Sequence, residues 1–116
     1  MRREILYLTD IVEAADSIAT FIAGFDKEQF FQSELVRSAV ANKLTIIGEA
    51  ASHISDALRS RERQVPWAQI VAFRNIVVHA YFGIDWDEVW NVASNRCPAL
   101  REQVAQILVR ESNRTE

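Results

Sequence analysis

The chain is poor in residues that interrupt or cross-link a polypeptide: its 116 residues include three glycines, two prolines and one cysteine. With so few breakers, segments rich in Ala, Leu, Ile, Glu, Arg and Gln run long, which favours helices over many short strands. Cys97 alone cannot form an internal disulfide, and in "NRCPAL" it has no neighbouring His or second Cys for a metal pair. A lone thiol suits a reducing, cytoplasmic location. Long apolar runs are also missing. Nothing approaches the roughly 20 residues of a membrane span, and the start "MRREILYLTD" becomes charged again too soon for a signal peptide. Lysine is scarce, two against eleven arginines, and the net charge is −3. That balance argues against a general nucleic-acid coat protein but leaves room for a local arginine site suited to bidentate phosphate contact.

What is present is a 49% hydrophobic composition, enough to close one core in a single domain spanning 1–116. Ile5, Leu8, Ile11, Val12, Ala15, Ile18, Ala19 and Ile22 recur at three- and four-residue steps, the stripe of an amphipathic helix, with Gly24 just past its end. Asp26 with Gln29 predicts a capped short turn around Phe30 and Phe31. Ser33 predicts the cap of a long helix whose stripe continues through Val36, Val40, Leu44, Ile47, Ala51 and Ile54 to Leu58. The charged "RSRERQ" (59–64) reads as a solvated loop, and Pro66 opens a third helix that ends near Tyr81 to Gly83. Asp85 with Glu88 caps a fourth helix carrying Trp86, Val89 and Trp90. Pro98 permits a break before a fifth helix through Leu100, Val104, Ile107 and Leu108, and "ESNRTE" reads as a frayed end. The predicted fold is all-α: an antiparallel up-and-down bundle of four to five helices.

One stretch, "FRNIVVHAYFGIDW" (73–86), sets polar residues with chemical potential inside an apolar run. On a continuous helix Arg74 and His79 would stand about 140° apart in azimuth and about 7.5 Å apart along the axis, so they would not share a face. Asn75 and His79, four apart, stack on one side, which would let the amide orient the imidazole. Either the helix unwinds before His79, or a second copy of the chain supplies the missing neighbour. From spacing alone, a surface guanidinium and a hydrogen-bonded imidazole is the plainer reading.

The motif "RNIVVHAY" resembles the R-x4-H-x-Y signature of the HepT-like ribonuclease toxins of the HEPN superfamily. So do "LYLTDIVEAADSIATFIAG", "RSAVANKLTIIGEAA", "VPWAQIVAFRN" and "GIDWDEVWNV", in the same order and spacing, from about Arg3 to Leu108. The resemblance implies a HEPN-like bundle that dimerises, with Arg74 and His79 of both protomers in a shared cleft that cuts RNA without a metal or other cofactor. Its chemistry is coherent: His79 acts as general acid/base on the ribose 2′-hydroxyl, Arg74 clamps the phosphate, and Asn75 orients the imidazole. The resemblance also implies a type VII toxin-antitoxin system. In such a system a partner MntA-type minimal nucleotidyltransferase attaches AMP to Tyr81, in a complex that can be larger than the toxin homodimer. By spacing alone Tyr81 is an amphipathic rim residue. The competing class is a non-catalytic helical module that docks a nucleotidyltransferase or holds a nucleotide.

Other candidates read more simply. Glu49 and His53 in "GEAASHIS" stand at i,i+4 like two metal ligands, but no third ligand lies at a nearby spacing, so an exposed ion pair is expected. Glu49 lies in a block carrying the resemblance, and a supporting role beside the cleft falls to it. Trp67, Trp86 and Trp90 sit on apolar helix faces and read as core. Arg59, Arg61 and Arg63 read as solvated charge.

Overall fold

The structure is a computed structural model and describes residues 2–81 and 85–114. The described residues are mostly helical and contain no strand. The first helix, α1 (Arg2–Phe21), buries Leu8, Ile11, Ala15 and Ile18 as its periodicity predicts and Ala14 besides, while Ala19 of the expected stripe is exposed. It gives way to a turn in which Gly24 takes φ 77, a left-handed conformation that a side chain would strain. The Asp26–Gln29 capping box starts α2 (Lys27–Gln32), and the Ser33 hydroxyl accepts from the Val36 N–H to start α3 (Glu34–Ser52).

Five of the sequence expectations need correction here. The α3 stripe appeared continuous to Leu58, but the helix ends at Ser52. Ser55 then accepts from the Leu58 N–H and caps a separate α4 (Asp56–Arg61). Ile54 and Leu58 are still buried, so hydrophobic spacing carried across a break that hydroxyl capping makes. The supposed loop therefore begins as helix.

The third predicted helix is two, α5 (Trp67–Val71) and α6 (Phe73–Tyr81). Expectations for Gly83, at its far end, lie outside the described residues. After Asp85 caps α7 (Trp86–Asn91), no break occurs at Pro98. A π-helical turn (Val92–Arg96) leads into α8 (Cys97–Arg114), with the Cys97 N–H bonded to the Val92 carbonyl five residues back. A proline ring crowds the carbonyl four residues earlier, and a widened turn absorbs that clash without ending the helix. Since α8 runs to Arg114, most of the supposedly frayed "ESNRTE" is helical, and Glu111 is buried.

Side-chain contacts fix the directions. Tyr7 near the start of α1 stacks on His53 at the end of α3, and the Ser55 N–H donates to Glu4 at 2.6 Å. Asp16 late in α1 pairs with Arg101 early in α8 at 2.9 Å, and Glu49 late in α3 pairs with Arg74 early in α6. These helix pairs are therefore antiparallel, and the bundle is all-α as expected. Trp67 is buried with its indole N–H on the Glu62 carbonyl, while Trp86 and Trp90 pack half-buried around Phe30.

Candidate functional site

The motif residues lie on α6, which packs against α3. Phe73, Val77 and Ala80 face the core, while Asn75, Val78 and His79 are exposed. This helix is continuous through His79. The unwinding that would let Arg74 reach its own His79 does not occur, so the two side chains diverge as the spacing requires. Asn75 stands one turn before His79 on the exposed side. Tyr81 is the last residue of α6, and its side chain lies outside the described residues.

Arg74 is held from α3. Its Nη1 donates to Glu49 Oε1 at 2.8 Å, and the other carboxylate oxygen lies 3.2 Å from His53 Nε2. The expected Glu49–His53 pair is present, but it is part of a three-membered chain that reaches the motif. The Arg74 hydrogen bond, followed by that of His53, holds the Glu49 carboxyl below the usual carboxylate range. Among the described residues, no three His, Cys, Asp or Glu side chains gather as a metal-ligand set. Glu49 is engaged by a guanidinium.

Gly48 was not recognised as part of this site. A Cβ there would lie 2.8 Å from Arg74 Cγ and 3.1 Å from the Val71 carbonyl oxygen, so α6 approaches α3 over a position that tolerates only hydrogen. The available signal was a glycine in mid-helix, which costs about 1 kcal/mol against alanine and calls for a packing reason.

In the charged segment 59–64 Arg61 and Arg63 are exposed as solvated charge should be, but Glu62 between them is buried. Glu62, a buried side chain, accepts from Arg110 Nη2 at 2.7 Å and from Gln64 Nε2 at 2.7 Å, and Arg61 reaches buried Glu111 at 3.0 Å. The Arg110 hydrogen bond, above all, holds the Glu62 carboxyl below its ordinary range. Arg59 donates to the Ala51 carbonyl at 2.7 Å and ties α4 to the end of α3. Cys97 is buried, and desolvation pushes its thiol up to about 12.

The site thus sets an arginine and an exposed histidine on one helix, with the arginine paired to a glutamate of α3. The chain belongs to the HepT-like ribonuclease family, whose model, described as Ribonuclease HepT-like, matches residues 11–107. Among its relatives is a protein of Methanocaldococcus jannaschii named as a candidate RNase, 36% identical over 98 residues covering 84% of this chain and 90% of that one. A protein of Thermococcus cleftensis named as a candidate ribonuclease HepT is 33% identical over 95 residues, covering 82% and 86%. A candidate RNase of Caldanaerobacter subterraneus is 30% identical over 105 residues, covering 90% and 94%. No solved structure gives a significant match.

Proposed function

We propose that this chain, acting as one domain, is a metal-independent endoribonuclease whose cleft is completed by a second copy. One observation supports this reading: α6 is continuous, with His79 exposed on it and Arg74 paired to Glu49 of α3, so the two side chains leave one helix in different directions and a second copy would set both kinds of group against one phosphate. A second α6 packed near the exposed Val78 would bring the missing partner.

In that cleft His79 removes the proton from a ribose 2′-hydroxyl. The oxygen attacks the adjacent phosphorus, and an imidazolium returns a proton to the departing 5′-oxygen. Arg74 stabilises the dianionic phosphorane, where charge is greater than in the ground-state diester. Glu49 aims the guanidinium, and Asn75, one turn before His79, orients the imidazole. Family membership supports the reaction class, and the relatives' names supply RNA as the substrate.

In the same proposal the protein is the cytoplasmic toxin of a type VII toxin-antitoxin pair. A partner nucleotidyltransferase transfers AMP from ATP to the Tyr81 hydroxyl and releases pyrophosphate. The added anion would pair with Arg74 and repel the RNA backbone. Metal-free purified protein, assayed with and without chelator, should cut RNA to a 2′,3′-cyclic phosphate; strict dependence on divalent metal would sink the mechanism. Light scattering coupled to gel filtration should give a dimer, and a clean monomer that still cleaves would refute the shared cleft. Tyr81→Phe should keep cleavage and escape the partner. Full neutralisation of this variant without an adduct would point to simple docking, the second functional class.

A further inference from the structure

Between α1 and α3 lies a cavity of about 320 Å³ lined by Tyr7, Asp10, Asn42, Thr45, Glu49 and His53, among others. Its aromatic wall is prebuilt. The Tyr7 and His53 rings stack with centroids 4.9 Å apart and planes inclined by 17°, and Glu49 holds the imidazole from its edge at 3.2 Å. The opposite character comes from Asp10 and Asn42, whose side chains have no hydrogen-bond partner among the described residues. The Thr45 hydroxyl donates to the Ala41 carbonyl at 3.0 Å and keeps its lone pairs as acceptors.

The lining contains two carboxylates, Asp10 and Glu49, and neither lysine nor arginine. A phosphate is therefore repelled from it, whereas a neutral flat heterocycle finds a π surface and a polar edge. Glu49 joins this cavity to the motif, because one carboxylate oxygen faces His53 and the other accepts from Arg74. A phosphate on Arg74 and a ring on His53 would be separated by that one carboxylate, a spacing that suits adjoining parts of one nucleotide.

We propose that the Tyr7–His53 stack is a base shelf: it holds the nucleobase of single-stranded RNA next to the phosphate that Arg74 engages, with Asp10 and Asn42 reading the base edge. This subsite deepens the ribonuclease reading and rests on it. Asp10 only accepts hydrogen bonds, and an exocyclic amino group offers it two N–H donors against the single N3–H of uracil, so bases that carry one are favoured.

The test is binding without turnover: fluorescence anisotropy of the wild-type protein with short, fully 2′-O-methylated oligomers of A, of U and of abasic units. Wild type should bind oligo(A) more tightly than oligo(U) and both more tightly than the abasic strand. His53→Ala should weaken oligo(A) by about 5- to 150-fold, the range of one lost base–aromatic stack, and leave abasic binding nearly unchanged. His53→Phe should restore oligo(A) binding, which a role limited to pairing with Glu49 would not allow. Equal losses on oligo(A) and the abasic strand, or a folded His53→Phe variant without rescue, overturn the shelf. So does wild type binding none of the oligomers. Cleavage of unmodified RNA by wild type, scored separately, reports on the ribonuclease reading, so an active enzyme without base coupling disproves the subsite alone.

Discussion

Two carboxylate–arginine clusters in this molecule use the same chemistry for opposite ends. At Glu49–Arg74 both side chains are exposed, 56% and 40%, and the arginine keeps donors free for an incoming anion. At Glu62–Arg110 and Glu111–Arg61 the carboxylates are only 10% and 4% exposed. Water screens the first cluster, so its pair is weak and its guanidinium can exchange partners. The second has little water to fall back on, and breaking it leaves a buried charge. The first leaves a guanidinium that can take a further partner beside Glu49, and the second suits a clasp between α4 and α8.

The largest difference should appear in activity. His79→Ala and Arg74→Ala should each lower kcat/KM on RNA by about 10²- to 10⁴-fold. His79→Ala should stay within about 0.5 kcal/mol of wild-type stability by urea denaturation. Arg74→Ala should lose slightly more, because its stem packs over Gly48. Unfolding of both variants would reduce the motif to architecture.

The clasp should behave in the reverse way. Arg110→Ala or Arg61→Ala should lower stability in urea denaturation by removing the cationic partner of buried Glu62 or Glu111, while the folded fraction keeps its kcat. A drop in kcat at unchanged stability would erase the contrast.

Gly48→Ala tests where the two kinds of role meet. Crowding against Arg74 and the Val71 carbonyl should outweigh the gain in helix propensity, for a net loss of about 1 kcal/mol. Activity should fall by more than that stability change explains, because Arg74 must move. Wild-type activity in this variant would show that the close approach does not position the guanidinium.

The smallest effect concerns acid. Glu62 has its folded-state pKa depressed, so its stabilisation is complete above the unfolded glutamate value of about 4.3 and is lost as pH falls through the lower folded value. Glu62→Gln should therefore flatten the acid limb of the stability–pH curve. Glu49 is depressed in the same direction but is solvent-screened, and Glu49→Gln should leave that limb nearly unchanged. Equal flattening by both would mean that the two clusters are not electrostatically distinct.

The sequence by itself determined the helical class, the caps at Asp26, Ser33 and Asp85, the core stripes of α1 and α3, and the motif with its family. These are written in local spacing and side-chain type, which a linear reading can follow. It also showed that Arg74 and His79 diverge on any continuous helix, and the structure decided that α6 is continuous. Only the tertiary structure decided that α3 stops at Ser52, because the hydrophobic period runs on through Ile54 and Leu58 while a serine hydroxyl redirects the backbone. It alone decided that Glu49 braces Arg74 across 25 residues, that Gly48 admits α6, and that Glu62 and Glu111 are buried within charged segments. Charge in a sequence does not reveal its solvent. Whether a carboxylate is screened or buried depends on which distant helix covers it, and that is fixed only when the chain closes on itself.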